Sequence, residues 1–325
     1  MIEKGRFTES ETESLQRARQ DLMKGQVVAI PTETVYGLAA NAWDEQAVNQ
    51  IFTLKKRPAY NPLIVHIGRK EQVEELAQNI PARAYQLMDA FWPGPLTLLL
   101  QKRESVADRI TAGKPTVAIR MPHHRLTLAL LQQLPFPLVA PSANRFNHIS
   151  PTQAEHVRLS LGAKAPFILD GGPCKLGIES TIIGFREEKP VLHRWGALSR
   201  EEIEKVAGPL TLHEMDEHDI RSPGQLKKHY APHTPMEICP NIPQRLSEGN
   251  TQGIGLLLWT SRPDLDHQPQ IILSPRGDVN EAAHHLFAAL HRLDQMDLDL
   301  ILAEAVPPTG IGQAINDRLR KAAAQ

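Results

Sequence analysis

The chain of 325 residues holds only two cysteines, Cys174 and Cys239, far apart and in no CxxC pair. That argues against a disulfide scaffold or a zinc ribbon and fits a reducing, cytoplasmic compartment. Aromatic residues make up 5% of the sequence and the net charge is −1. Neither value suits a polycation that coats nucleic acid or a platform of interleaved stacking aromatics, so RNA contact would need a local basic patch. No apolar h-region of a secretory signal follows Met1. The longest apolar runs, such as 96–100, are far too short to span a bilayer, and no membrane partner is expected. Tandem repeats and low-complexity tracts are lacking. So are the GxxxxGK[ST] loop, the GxSxG elbow and HExxH. Gly113-Lys114-Pro115-Thr116 is the tail of a phosphate loop without its head, and Gly310-Ile311-Gly312 lacks the third glycine of a dinucleotide fingerprint. The pairs His123-His124 and His284-His285 have no second ligand set at metal spacing and read as solvated or capping side chains.

What is present is enough for real cores: 41% of residues are apolar and 22% charged. The length suggests about two domains. Helical spacing predicts helices over 9–24, 44–54, 71–78, 82–91, 125–134 and 200–207, the last opened by the capping box Ser199-Arg200-Glu201-Glu202. Ser150-Pro151-Thr152 reads as a further helix start, with a capping hydroxyl and a proline in the first turn. Apolar runs predict strands at 26–30, 63–67, 96–101, 116–120, 137–140, 167–169, 180–183 and 191–194. Several of these follow one another without a helix between, so the first domain, 10–208, reads as α/β with a mixed sheet. Polar, acidic and proline-containing residues mark 209–235 as a linker. Beyond it, strands near 236–239, 254–259, 270–273 and 299–305 alternate with helices near 279–293 and 311–323. That alternation predicts a small parallel-sheet α/β domain over 236–325.

The chemistry-bearing residues are scattered. Pro31-Thr32-Glu33-Thr34-Val35-Tyr36-Gly37-Leu38 follows the first strand, and Pro31 should end it. Hydroxyls, a carboxylate and a phenol are packed just past a strand's carboxyl end, where open α/β sheets bind ligands; an ordinary polar turn has the same composition. Arg57 offers a planar fork for two phosphate oxygens and Lys55 a point charge. A basic tripeptide is also what a solvated helix end looks like. Asn61 adds an amide, and His66 interrupts an apolar strand as either a ligand or a satisfied core histidine. Arg120 closes a strand and needs an anion, which is either a carboxylate of the protein, Glu33 above all, or one from a substrate. Ser142 and Asn144 follow another strand.

Each motif is weak alone, but their order is specific. The segments 31–38, Lys55-Lys56-Arg57-Pro58 with Asn61-Pro62-Leu63, His66, Pro141-Ser142-Ala143-Asn144, Ser180-Thr181, Ser222-Pro223-Gly224 and His229-Tyr230-Ala231-Pro232 resemble the YrdC-like family. The last motif and the extra domain resemble its long, two-domain class of threonylcarbamoyl-AMP synthases. The resemblance is close over 10–235 and rests on domain order and fold class beyond. Ala39 departs from it, standing where a glycine is expected.

The resemblance implies a twisted α/β sheet around a deep, concave, basic cavity, with a Rossmann-like C-terminal domain. It implies synthesis of L-threonylcarbamoyladenylate from L-threonine, bicarbonate or CO2, and ATP, with release of pyrophosphate. The product feeds modification of adenosine 37 in tRNAs reading codons that begin with A. By the same resemblance Thr34, His66, Arg120 and Ser180 hold threonine, with Ala140 at its side. Lys55 and Arg57 hold phosphates and the carbonate-derived group and are the catalytic pair. Asn61, Thr116, Ser142, Ser150 and Arg194 line the ATP site, Asn144 supports the loop beside it, and Tyr230 reaches back from the linker to close over the nucleotide. Mg2+ is expected on the triphosphate, held mainly by phosphate oxygens and water, with no protein metal site. A tRNA or a downstream threonylcarbamoyl-transferase complex is the expected partner. The main rival is an RNA-binding module that uses the same basic cavity without making an adenylate. A hydrogenase-maturation carbamoyltransferase would need zinc-finger cysteines that two lone cysteines cannot supply, and an inactive paralogue is hard to reconcile with intact Lys55, Arg57, Ser142 and Asn144.

Overall fold

The run 26–30 forms β1 (Val28–Ile30), and its burial explains its unbroken apolar character. Val28 and Ile30 join one apolar cluster and Ala29 another, so both faces of the strand are covered. The structure, a computed structural model, describes residues 7–213, 229–249 and 251–324. Ser222-Pro223-Gly224 and the middle of the expected linker, 214–228, lie outside the described residues.

The first domain is built on one mixed sheet. Its other strands are β2 (Gly37–Asn41), β3 (Ile64–His66), β4 (Leu96–Gln101), β5 (Thr116–Arg120), β6 (Leu138–Val139), β7 (Phe167–Ile168), β8 (Thr181–Arg186), β9 (Lys189–Arg194) and β10 (Thr211–Leu212). The order is β10-β9-β8-β4-β5-β3-β6-β2-β1-β7. The pairs β1–β7, β3–β5, β4–β8 and β9–β10 are parallel. The remaining pairs are antiparallel. On one face, helices Glu45–Lys55, Ala82–Phe91, Ala154–Leu161 and Arg200–Ala207 bury their stripes against Val65, Leu98, Ile119 and Val139. On the other face, helices Glu9–Met23 and Arg125–Gln133 cover the β1, β2 and β6 side. Toward β4, β5 and β8 that face carries only the small apolar patch Ile64, Leu99, Ala118 and Ile182. This half-bare face is where a cavity can form.

Local differences from the sequence reading have physical causes. The segment after Tyr36 is a strand, β2, paired with β1 and β6, not a continuing loop. The helix expected at Ser150 begins at Ala154, because the Ser150 hydroxyl is taken by Glu179 and caps nothing. The expected helix 71–78 shrinks to a 3₁₀ turn at Lys70–Gln72 and one turn at Val73–Leu76. Thr211 and Leu212, expected in the linker, pair with Val191 and Leu192 and extend the first sheet.

The second domain carries β11 (Met236–Ile238), β12 (Ile254–Leu258), β13 (Gln270–Ile272) and β14 (Leu300–Ala303) in the all-parallel order β11-β14-β12-β13. Helix Val279–Leu293 buries Ala282, Ala283, Leu286, Phe287, Ala289, Leu290 and Leu293. That stripe and helix Gly312–Ala323 share a cluster with Val35, Ile149, Ile178 and Tyr230 of the preceding chain. The second domain therefore roofs the bare half of the first sheet. Gly177 allows the approach: a Cβ there would stand 2.4 Å from the His284 carbonyl oxygen. Among the described residues no helix is long and apolar enough to cross a membrane.

Candidate active site

The cavity lies on the sheet face and draws on strand starts as well as strand ends, where the sequence reading had placed it along strand carboxyl ends. The mixed strand directions cause this. The loop 31–36 leaves the carboxyl end of β1 and crosses to Arg120 at the end of β5, whose Nη1 donates to Thr34 Oγ1 at 2.9 Å. Ala140 and Ser142 enter after β6, antiparallel to β3, which carries Ile64 and His66. Ser180 precedes β8, and Arg194 ends β9 beside it. Of the residues singled out from sequence, Thr34, Arg57, His66, Arg120, Ala140, Ser142, Ser180, Arg194 and Tyr230 line this one cavity.

Arg120 is held by Glu33. Its Nη2 is 2.7 Å from Glu33 Oε1, and both side chains are about one-twentieth exposed. The contact is a charge pairing without hydrogen-bond alignment. Glu33 Oε2 accepts from the His123 backbone N–H at 3.0 Å. Thr32 folds the loop on itself: its hydroxyl lies 2.8 Å from that of Thr34 and donates to the Val35 carbonyl at 2.6 Å. His66 faces the same space. Its Nδ1 lies 3.2 Å from the Ile64 carbonyl, which can only accept, so Nδ1 carries the proton and Nε2 is left as an acceptor. Burial, reinforced by Arg120, pushes its pKa down to about 3, so the ring is neutral near pH 7.

On the opposite wall Arg57 is braced by its own loop. Nε donates to the Asn61 carbonyl at 3.1 Å, and Nη2 to Asn61 Oδ1 and the Pro62 carbonyl, both at 2.7 Å. No hydrogen-bond partner for Nη1 is found among the described residues. Burial and then Arg194 lower the Arg57 pKa to about 9. Asn61 is fully buried, and its Nδ2 has no hydrogen-bond partner among the described residues. Arg194 donates from Nε and Nη2 to the Ser180 carbonyl at 3.1 and 2.9 Å, and from Nη2 to Ser180 Oγ at 3.0 Å. Ser180 Oγ is also 2.7 Å from Thr97 Oγ1. Water reaches only about 50 Å3 of the cavity, where sites for small molecules run about 300–1,000 Å3. His229 and Tyr230 stand in the space; Tyr230 takes a positive φ of 64° and packs on Phe287 with ring centroids 5.6 Å apart.

Five singled-out residues do not line the cavity. Lys55, expected on phosphates, sits behind the wall, its ammonium donating to the Ser142 and Asn144 carbonyls at 2.5 Å each. Burial, then Arg57, holds its pKa well below the usual lysine range. Asn144 donates Nδ2 to the Arg145 and His148 carbonyls at 2.7 and 2.8 Å, so it ties its own loop. Asn61 lies behind Arg57, and Ser150 behind Glu179. Thr116 is half-buried at the start of β5, at the opposite end of that strand from Arg120.

Residues 20–196 match the family described as "Telomere recombination", and residues 198–324 match "Threonylcarbamoyl-AMP synthase, C-terminal domain". The chain belongs to the two-domain, YrdC-like threonylcarbamoyl-AMP synthase family. A threonylcarbamoyl-AMP synthase of Bacillus subtilis is 43% identical over 314 residues, 93% of this chain and 90% of that one. One of Pyrococcus abyssi is 43% identical over 318 residues, 93% of this chain and 91% of that one. The crystal structure of P. abyssi Sua5 complexed with L-threonine superposes with a TM-score of 0.90 at 41% identity, covering 98% of this chain and 96% of that one.

Within this synthase family framework, sequence reasoning passed over three cavity residues. Thr32 was visible in the first motif and His229 in the motif of Tyr230, but neither type at that spacing announces a cavity. Glu179 adjoins Ser180 and lines the cavity, and only its distant partner reveals it. Conversely, the Tyr36 phenol turns away, donating to the Gly172 carbonyl at 2.8 Å. The paired histidines are structural: His284 and His285 place Nδ1 3.0 and 2.9 Å from the carbonyls of Lys175 and Leu273.

Proposed function

We propose that this cavity joins L-threonine, bicarbonate-derived CO2 and ATP into L-threonylcarbamoyladenylate with release of pyrophosphate. The observation that carries the reading is a surplus of buried cations. Lys55, Arg57, Arg120, Arg194, Arg318 and Lys321 lie in or around the cavity, against the buried carboxylates Glu33 and Glu179 and the partly buried Asp317. A dry, cationic hollow invites anions, and a triphosphate with an amino-acid carboxylate supplies them.

The threonine carboxylate takes the Arg120 guanidinium, sharing it with or displacing Glu33. Thr34 and Ser180 hydroxyls stand beside it. Neutral His66 offers Nε2 to the ammonium or hydroxyl of the substrate, and Val35, Ile64 and Ala140 offer an apolar wall for its methyl. The ammonium releases a proton to solvent, and the free amine forms an N–C bond to CO2 and loses a second proton to solvent, giving a carbamate. A carbamate oxygen then attacks the α-phosphorus in line; the new O–P bond forms as the bond to pyrophosphate breaks. Such transfer needs positioning and charge neutralisation rather than a protein nucleophile. Arg57, through Nη1, and Arg194 meet the phosphates, with Ser142 beside them. Lys55 acts through the loop 141–144, which it holds by two carbonyls. Asn61 acts through Arg57, which it braces; Thr116, Asn144 and Ser150 belong to the surrounding wall, and Tyr230 closes over the nucleotide. A Mg2+ ion brought in with ATP would supply charge neutralisation on the triphosphate. The cavity carboxylates Glu33 and Glu179 are each paired with an arginine. The adenylate is released for transfer to adenosine 37 of tRNA.

The test is mass detection of the adenylate after mixing the protein with ATP, Mg2+, bicarbonate and threonine, leaving out each in turn. Product only in the complete mixture is expected. Absence of product, with salt-dependent RNA binding in its place, would overturn the reading in favour of a binding module.

A further inference from the structure

Glu179 lines the cavity at 6% exposure, yet the chemistry above gives it nothing to do. A lone carboxylate beside a triphosphate is adverse, so its partners matter. Ser150 Oγ donates to Glu179 Oε1 at 2.6 Å, and Arg318 Nε donates to Oε2 at 2.8 Å. Arg318 comes from the other domain, on helix Gly312–Ala323, and is completely buried. Its Nη2 donates to the Trp195 carbonyl at 2.8 Å, one residue past Arg194, and its Nη1 to Asp317 at 2.6 Å. Its guanidinium carbon lies 4.9 Å from the centroid of the Tyr230 ring. One side chain of the C-terminal domain thus touches three supports of the nucleotide side: the carboxylate that orients Ser150, the backbone after Arg194, and the face of Tyr230.

The arrangement has a direction. Burial drives the Glu179 carboxyl upward, and Arg318 with Arg194 more than reverses this, so the group stays ionised. An ionised Glu179 can only accept, which commits the Ser150 proton to it and pins Ser150 in the wall behind the cavity-lining carboxylate. The Arg318 cation over the ring face limits where Tyr230 can sit.

We propose that Arg318 is a positioning residue for ATP: through Glu179 it fixes the cavity wall backed by Ser150, and through its charge over the ring it seats Tyr230, so the C-terminal domain completes the nucleotide side of the cavity. The inference rests on the ATP reading above. Its test uses the full chain as wild type, R318M, R318K, E179Q and the E179Q/R318M double variant. Adenylate formation is followed with ATP and threonine varied separately, and thermal unfolding is recorded for each. R318M should raise KM for ATP by about tenfold or more, with KM for threonine changed by less than about threefold. R318K should recover part of the loss. The double variant should bind ATP better than R318M, because no buried carboxylate is left unpaired. A scaffold role alone would weaken both substrates alike and follow the melting temperature. Unchanged KM for ATP in R318M, equal loss for both substrates, or a double variant no better than R318M overturns the proposal. Should R318M fail to fold, R318K and the double variant against wild type make the same comparison. A wild type that forms no adenylate overturns the ATP reading itself, whereas an active wild type with an indifferent R318M overturns only the inference.

Discussion

Arg57 shows how one side chain is prepared for a ligand. Two of its nitrogens are spent on Asn61 and Pro62, so the fork is rigid before anything binds. Rigid donors act without reorganisation as charge develops, and loss of one such donor costs about 10²–10³ in turnover. Arg57→Ala should fall in that range by pyrophosphate release, and near-normal release would remove Arg57 from the chemistry. His66 makes a smaller, uncharged contribution, since burial keeps its pKa near 3. His66→Phe should raise KM for threonine about fivefold, the value of one neutral hydrogen bond, with no change in the pH profile between about 6 and 8. The apolar wall of Val35, Ile64 and Ala140 bears on the substrate methyl. Serine should replace threonine with kcat/KM lower by about 10–200-fold, since a methyl is worth about 1–3 kcal/mol; equal use of both would show that no fitted methyl pocket exists.

Among elements, the turn after β9 and the loop after β6 decide whether the site assembles. Gly196 lies against the start of β8: a Cβ there would stand 2.3 Å from both the Ser180 carbonyl carbon and the Thr181 nitrogen. Backbone cannot yield as a side-chain tip can. Gly196→Ala should therefore displace Ser180 and Arg194 together, destabilise by about 2–3 kcal/mol in urea unfolding, and lose binding of both substrates. The loop 141–144 depends on Lys55 in a comparable way. Lys55→Met leaves the carbonyls of Ser142 and Asn144 without their donor, at about 1–3 kcal/mol for each unsatisfied group. The resulting loss should appear in both stability and KM for ATP.

For the whole molecule, the two domains meet through groups whose protonation matters. His156 on helix Ala154–Leu161 stacks on His291 of helix Val279–Leu293 with ring centroids 4.0 Å apart. Burial lowers both pKa values, to about 4 and about 3, with Glu155 and Asp294 opposing weakly. The unfolded chain takes these protons first, so stability should fall as pH drops from about 6.5 toward 3 and level off below. Glu179 and Asp317 add to this at lower pH. Their folded pKa values are depressed chiefly by Arg318, against burial, so their contribution is present above the ordinary carboxylate range and is lost as pH falls through the folded values. His291→Phe should flatten the limb between about pH 6.5 and 3 in melting temperature while leaving the loss that Glu179 and Asp317 cause at acid pH. An unchanged upper limb would show that the stacked pair does not control docking.

Local patterning carried much of the architecture. Apolar runs and capping residues mark helices such as Arg200–Ala207 and strands such as β4 and β5 within a residue or so. The alternation after 235 marks the parallel sheet, and the ordered motifs mark the family, because both are written in short stretches of chain. Contacts between distant residues were not legible. Arg120 meets Thr34 across 86 positions, Lys55 meets Asn144 across 89, and Arg318 meets Glu179 across 139. No period or spacing encodes such pairs. Packing decided them: the mixed strand directions brought strand starts and carboxyl ends to one cavity, and the second domain's helices closed over it. An arginine that reads as one more charge on a surface helix became fully buried for that reason, since only the folded pair of domains takes it out of water and gives it a carboxylate to hold.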